Sequence, residues 1–270
     1  MSAIKRFPNI TLACVDGRAP SLAYRAIYDS TIRAGCQFAR HLVFTGKGAV
    51  DGISIPIPEN SEVVALEGLD SIEGYNEFLI KGLLSYIETD FVQVFQWDGF
   101  VLNAANWRSE FVEYDYIGAI WPWQPPGFQV GNGGFSLRSR KLLQALQDFR
   151  VISHHPEDLA ICQTYRDFLE SECFIRFAPP EVADRFSFER HPHGESFGFH
   201  GFYNFHRVFS ADELRQRLAE LPPSVYFSVD ATELAFNLSR EGKEGCAREV
   251  LKQMLRGRHG TQIPAEFWAE

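Results

Sequence analysis

"DFVQVFQWDGFVLN", Asp90 to Asn103, reads as a strand, and the way it ends sets the fold. Phe91, Val92, Val94 and Phe95 follow one another almost without a break, the pattern of a strand buried on both faces. The run then meets Gln96, Trp97 and Asp98 before Gly99. Asp-Gly is a common turn pair. A carboxylate at the end of a central strand can also hold a divalent cation, which in turn neutralises a diphosphate. On these residues alone both readings of Asp98 stand.

Upstream, strands and helices alternate. "NITLACVD" is a β-rich run ending at Asp16-Gly17, and "PSLAYRAIYDSTIRAG" reads as a helix closed by Gly35. "HLVFTGKG" is a short strand stopped by glycines, "ISIPIPE" an edge strand or loop because of its two prolines, and "SEVVALEGL" a further strand. "SIEGYNEFLIKGLLSYIE" places Ile72, Tyr75, Leu79, Leu83 and Tyr86 at spacings of three and four, an amphipathic helix. The alternation predicts an α/β fold with a mainly parallel central sheet flanked by helices. Ligands of such sheets gather at the carboxyl ends of strands, where Asp16, Thr45 to Gly48 and Asp98 fall.

Downstream, "WRSEFVEYDYIGAIWPWQPPG" is irregular and aromatic. "VGNGGFSLRSRKLLQALQDF" reads as a glycine loop, a short strand and a helix from about Ser139, with Arg138, Arg140 and Lys141 as a solvated helix start. "PEDLAICQTYRDFLES" is a helix with Pro156 in its first turn. From about residue 210 three helical stretches follow, with Ser210 as an N-cap, so residues 1–209 read as the main domain and 210–270 as a small C-terminal helical appendage.

The composition narrows the function. The formal net charge is −9, which repels a phosphate backbone and argues against a general nucleic-acid binder. Five scattered cysteines without a CxxC pair read as reduced, buried thiols of a cytosolic protein. The start, "MSAIKRFPNI", lacks the apolar core of a signal peptide, and no run reaches the ~20 apolar residues of a membrane span. The basic end of "LKQMLRGRH" reads first as a solvated face and second as a peripheral contact at the inner face of a membrane.

Several short constellations carry chemistry. In "GNGGFS", Asn132, Gly133 and Gly134 let the backbone approach a ligand closely; the alternative is a tight turn. Glu157 and Asp158 near a helix start can act as a general base or simply cap the helix dipole. His200 in "FGFHG" is a metal ligand, better suited to Mn²⁺ than to Mg²⁺, or a hydrogen-bonded structural histidine. His191-Pro192-His193 has no cysteine or HExxH context for zinc. Trp121 and Trp123 offer flat faces that stack on sugars, or pack a loop. Lys47 in "FTGKG" can reach a phosphate or lie on a surface turn.

Taken in order, "QWDGFVLN", "WRSEFVEYDYIGA", "VGNGGFSLRSRKLL", "PEDLAIC", "FAPPEVADRFSFE" and "FGFHG" resemble a bacterial family of uncharacterised, glycosyltransferase-like proteins, similar to a branch of the GT-A nucleotide-sugar transferases. The resemblance spans roughly residues 8 to 205. It implies a GT-A-like, Rossmann-like sheet. It places Asp98 at the last position of an Asp-x-Asp metal motif whose first position is here Gln96, with Trp97 between. It makes His200 the late metal ligand, Glu157 and Asp158 the pair that supplies the base, and Asp16, Gly17 and Arg18 the nucleobase and ribose site. Gly133 and Gly134 would line the donor or acceptor sugar.

The expected function is therefore a metal-assisted, inverting glycosyltransferase. It would use a nucleoside-diphosphate sugar, Mn²⁺ or Mg²⁺, and a glycan or lipid-linked glycan acceptor of a surface polysaccharide or lipopolysaccharide. Two other readings stay open: a non-catalytic nucleotide- or sugar-binding protein, for which Gln96 speaks, and a nucleotidyl- or phospho-transferring enzyme.

Overall fold

The computed structural model describes residues 4–17, 19–46, 55, 58–190 and 194–258. By internal contacts the chain forms two compact units, Met1–His200 and Gly201–Glu270. The sequence reading put this division at 209/210.

In the first unit, β1 (Lys5–Val15), β2 (Cys36–Gly46), β3 (Ser61–Leu66), β4 (Phe91–Phe95), β6 (Tyr116–Ile117) and β7 (Phe135–Ser139) form one sheet in the order β3-β2-β1-β4-β7-β6. Strands β3, β2, β1 and β4 are parallel. β7 runs antiparallel to both of its neighbours, with Phe95 opposite Phe135. The chain moves outward from β1 through β2 to β3, then returns to lay β4 on the other flank of β1. That reversal opens a crevice at the carboxyl ends of β1 and β4, the general ligand position of open α/β sheets.

Both faces of the sheet are covered, which is why its strands read as continuous apolar runs. Ile10, Leu12 and Cys14 pack with Ala23, Ala26 and Ile27 of α1 (Pro20–Tyr28) and with Val182, Ala183 and Phe186 of α6 (Pro180–Phe186). Ala13, Val15, Val92 and Val94 face the other way, onto Phe78, Leu79, Ile80 and Leu83 and onto Leu142 and Leu143 of α3 (Arg140–Ala145).

The helix expected after β3 starts as α2 (Ile72–Glu77), capped by Ser71, then loosens into a π turn (Phe78–Gly82) and a tight 3₁₀ turn (Leu83–Tyr86). The changing turn geometry rotates its faces. Leu79 and Leu83 are fully buried, while Ile72, counted on the same stripe in the sequence, is 50% exposed. The helix expected from Pro156 is likewise segmented, as α4 (Glu157–Leu159), a π turn and α5 (Arg166–Ser171).

Arg138 corrects the sequence reading. It lies within β7, its side chain wholly buried, rather than on a solvated helix start; the helix begins only after Ser139, whose hydroxyl accepts from Leu142 N. Cys14, Cys36, Cys162 and Cys246 are buried thiols, as expected.

A second, three-stranded sheet joins β5 (Phe100–Val101), β9 (Gly198–Phe199) and β8 (Ser187–Phe188) in the order β5-β9-β8. It is short, but Phe100 pairs with Phe199, and this brings the residue after β9 back beside the turn after β4.

The second unit is helical: α7 (Phe205–Val208), α8 (Ala211–Glu220), α9 (Val229–Arg240) and α10 (Glu244–Arg258). Ser210 and Glu213 form a reciprocal capping box at the start of α8. No helix among the described residues is long and apolar enough to cross a membrane.

Candidate active site

The carboxyl ends of β1 and β4 open into a cleft of about 450 Å³. Asp16 and Gly17 line it after β1, Gln96 and Trp97 after β4. Asp70, Ser71, Tyr75 and Asn76 come from the start of α2, and His155, Glu157 and Asp158 from the start of α4. Trp121, Trp123, Asn132, Gly134, Glu189 and His200 also line it. Most residues singled out in the sequence thus share one cavity. Arg18, Lys47, His191 and His193 lie outside the described residues.

Asp98 lies in the turn that Asp-Gly allows and also faces His200. Gly99 N donates to Gln96 O at 3.1 Å, closing a turn at Asp98. The carboxylate is buried within that turn, and its Oδ1 lies 3.5 Å from His200 Nε2. The meeting of two residues 102 positions apart follows from the β5–β9 pairing.

Gln96 Oε1 approaches the same imidazole nitrogen at 3.1 Å, while Gln96 Nε2 donates to the Tyr75 hydroxyl at 2.8 Å. On the far side of the ring, Nδ1 is 3.1 Å from Asn132 Nδ2 and 3.3 Å from Glu189 Oε1. Burial of the ring works against its protonation, but the carboxylates of Asp98 and Glu189 outweigh burial and raise its pKa to about 10.

The glycine loop is shaped by this arrangement. A Cβ on Gly134 would stand 2.1 Å from His200 Nε2, and one on Gly133 the same distance from Glu157 Oε1. Asn132 holds the loop in a left-handed turn, φ 65°, with its side-chain oxygen accepting from Phe135 N at 3.2 Å. Only glycines allow the backbone to pass between these two side chains.

The structure separates the acidic pair. Glu157 is buried and paired with Arg138, Nη2 to Oε1 2.8 Å, with side-chain exposures of 7% and 0%. Burial pushes the Glu157 carboxyl up from its ordinary pKa, against the pull of Arg138. Arg138 also donates through Nε to Ser136 Oγ at 3.0 Å and lies 5.6 Å from the centre of the Tyr116 ring. Asp158 is partly exposed in the cleft, its Oδ2 accepting from Gly133 N at 3.0 Å and its Oδ1 from Leu159 N at 2.9 Å.

A divalent ion is the cofactor that the resemblance implies. Neighbouring ligands of an octahedral ion bound at about 2.1 Å lie roughly 3 Å apart. Asp98 Oδ1 and Gln96 Oε1 lie 3.5 and 3.1 Å from His200 Nε2, a ligand-like spacing, but the ring holds its proton against these carboxylates and would have to lose it before Nε2 could bind an ion. Among the described residues no group of three or more His, Cys, Asp or Glu side chains forms a metal site. An ion held on this edge would draw its other ligands from substrate and water.

A family model described as "Protein of unknown function (DUF5672)" matches residues 60–200, just over half of the 270-residue chain. The chain belongs to the DUF5672 family. No curated protein matches it. The DUF5672 span begins just before β3 and ends on His200. It takes in Tyr75, Gln96, Asp98, Gly133, Gly134, Arg138, Glu157, Asp158, Glu189 and His200, and leaves Asp16 and Gly17 outside.

Residues that sequence reasoning missed are Tyr75, Asn76, Arg138, His155 and Glu189. Tyr75 looked like one more member of an apolar stripe. Arg138 carried no clear signal: the alternation of β7 sets it with Ser136 opposite Phe135 and Leu137, a face that reads as polar, yet all five residues of the strand are buried. Glu189 had none, because its place beside His200 depends on the β8–β9 pairing.

Proposed function

We propose that this chain is a glycosyltransferase on a GT-A-like fold, taking a sugar from a nucleoside-diphosphate donor to a hydroxyl of a glycan or glycan-bearing acceptor. One observation carries the reading. The pair of Asp98 and His200, with Gln96 beside it, and a cleft carboxylate (Asp158) flank the same two-glycine loop, at the switch point of an open α/β sheet.

In this reading Asp16, Gly17 and the start of α2 receive the nucleoside, and the diphosphate lies toward Gln96, Trp97 and Gly134. Asp98 and His200 would hold a divalent ion, whose chemistry is to neutralise charge on the departing diphosphate. Asp158 takes the proton of the acceptor hydroxyl. The acceptor oxygen forms its bond to the anomeric carbon as the carbon–phosphate oxygen bond breaks, and the nucleoside diphosphate leaves with that electron pair. Trp121 and the exposed Trp123 supply aromatic faces for sugar rings. Glu157, already engaged by Arg138, anchors the segment that carries Asp158.

The test is calorimetry with a panel of nucleoside diphosphates, with and without Mn²⁺, followed by turnover of the matching donor sugars. Asp158→Asn should lower turnover by a factor on the order of 10²–10⁴, the span of general-base catalysis, and spare donor binding. If no nucleotide binds under either condition, the reading fails.

Gln96 favours a second reading. It stands where the resemblance expects a carboxylate, and its amide is tied to Tyr75 and His200. A nucleotide that binds while no donor sugar is ever transferred or hydrolysed would mark the chain as a non-catalytic binder.

A further inference from the structure

Three large apolar side chains stand out on two neighbouring loops of the first unit. Phe149 is 88% exposed, Ile152 68% and Phe174 73%. Their loops are tied together, because Arg150 Nη1 bonds Glu172 Oε2 at 2.8 Å and its guanidinium lies 4.1 Å from the centre of the Phe168 ring. All three residues therefore sit within two positions of one ion pair. Phe174 is also held in the left-handed region, φ 54°, at the turn after α5. That position usually goes to glycine; here an aromatic occupies it and points into solvent. The largest apolar patch on a soluble monomer is often functional.

We propose that Phe149, Ile152 and Phe174 are the tips by which this unit rests on a zwitterionic phospholipid bilayer. The area argues against a second copy of the chain. Two phenylalanines and an isoleucine offer roughly 500 Å² if all their exposed surface is covered, whereas a stable interface needs about 800 Å² from each partner. The charges argue against an anionic surface. Arg150 is held by Asp148 at 3.0 Å as well as by Glu172, Lys141 faces Asp115 at 3.5 Å, and the chain carries a formal −9. Among the described residues, the cations beside the tips, Arg150 and Lys141, are matched by carboxylates and leave no positive surplus to draw acidic headgroups.

The tips connect to the cleft through a strap that is fastened at each step. Ile152 N donates to the Tyr165 hydroxyl at 2.9 Å, and Ser153 bonds Glu77. His154 Nε2 is 3.1 Å from Thr164 Oγ1, and His155 Nδ1 is 3.3 Å from Asn76 Nδ2. His155 lines the cleft, three residues from Ile152, a path of about 10 Å in extended chain. A bilayer under the tips therefore lies at headgroup distance from the cleft. If the transferase reading above holds, on which this clause rests, the acceptor hydroxyl is one carried by a membrane lipid.

The experiment is flotation of the full chain with phosphatidylcholine vesicles at millimolar lipid, without nucleotide. The wild type should float, and molar salt should leave its binding unchanged. Phe149→Ser with Ile152→Ser and Phe174→Gly should lower partition by about tenfold or more. Phe174→Gly alone, which relieves the left-handed strain and keeps the fold, should lower it in part; the melting temperature of each variant checks that the fold is intact. The proposal is overturned if the wild type does not float, if the triple variant floats equally, or if binding needs anionic lipid and is lost in salt. It is also overturned if the tips instead support self-association seen by sedimentation. Flotation uses no nucleotide, so its outcome is independent of whether the calorimetric panel sinks the transferase reading.

Discussion

Removing Glu157 tests whether the acidic pair has been divided correctly into an anchor and a base. In Glu157→Ala the Arg138 guanidinium stays behind in β7, fully buried, with Ser136 Oγ as its remaining hydrogen-bond partner and the Tyr116 ring nearby. Its Nη1 already makes no hydrogen bond among the described residues, so the deletion leaves the charge without its carboxylate. Breaking a buried pair by deleting one partner costs about 3–5 kcal/mol. For a unit of this size each kcal/mol is roughly 2–4 °C in melting temperature, so the fall should be about 6–20 °C. Arg138→Met combined with Glu157→Leu removes both charges and should recover most of that loss, since apolar replacement of a whole buried pair is often neutral. Calorimetric melting of the wild type, the two single variants and the double variant completes the cycle. Asp158→Asn serves as the contrast: it breaks no buried ion pair and gives up one of the two acceptors offered to Gly133 N and Leu159 N, so it should cost only about 1 kcal/mol. The reasoning is refuted if Glu157→Ala melts with the wild type, or if the double variant is as unstable as the two single changes added together.

Further predictions concern the loop and the sheet. Gly134→Ala places a methyl 2.1 Å from His200 Nε2, so the ring must move; Mn²⁺-linked nucleotide affinity should fall by about tenfold or more while the fold survives a strain of roughly 1–3 kcal/mol. Unchanged affinity would detach His200 from the cation edge. His41, buried in β2, has its pKa lowered by burial from 6.5 to about 4. A base with a lowered folded pKa takes up its proton on unfolding. Its contribution is therefore whole above pH 6.5 and is lost as the pH falls toward 4, about 2 kcal/mol between pH 7 and pH 5. Urea unfolding at the two pH values should show that loss in the wild type and a smaller one in His41→Gln; equal slopes would count against it.

What could be read in advance followed from short-range rules. The ends of β1 and β4 were legible because apolar runs stop at Asp-Gly and at Gln-Trp-Asp-Gly, and strand ends are where α/β sheets place ligands. The loop at Gly133 was legible because three glycines in four residues serve a close approach. The geometry of the imidazole was not. His200 reaches Asp98 through a two-residue strand pairing too short to leave a periodic signal, and Glu189 arrives by another. The split between Glu157 and Asp158 was equally hidden, since helix-start carboxylates look alike until a buried arginine claims one of them. The breaks in the long helix after Ser71 escaped because π and 3₁₀ turns keep near-helical spacing over a single turn.

The antiparallel course of β7 has a consequence for the polarity of the sheet edge. The four parallel strands finish on the cleft side of the sheet, so their backbones present carbonyl oxygens toward that rim. β7 begins at the cleft instead, and its approach presents amide hydrogens, one of which Gly133 already gives to Asp158. One rim of the sheet thus passes from proton-accepting to proton-donating between adjacent strands. That asymmetry is written in chain direction, so substituting side chains can tune it but cannot erase it.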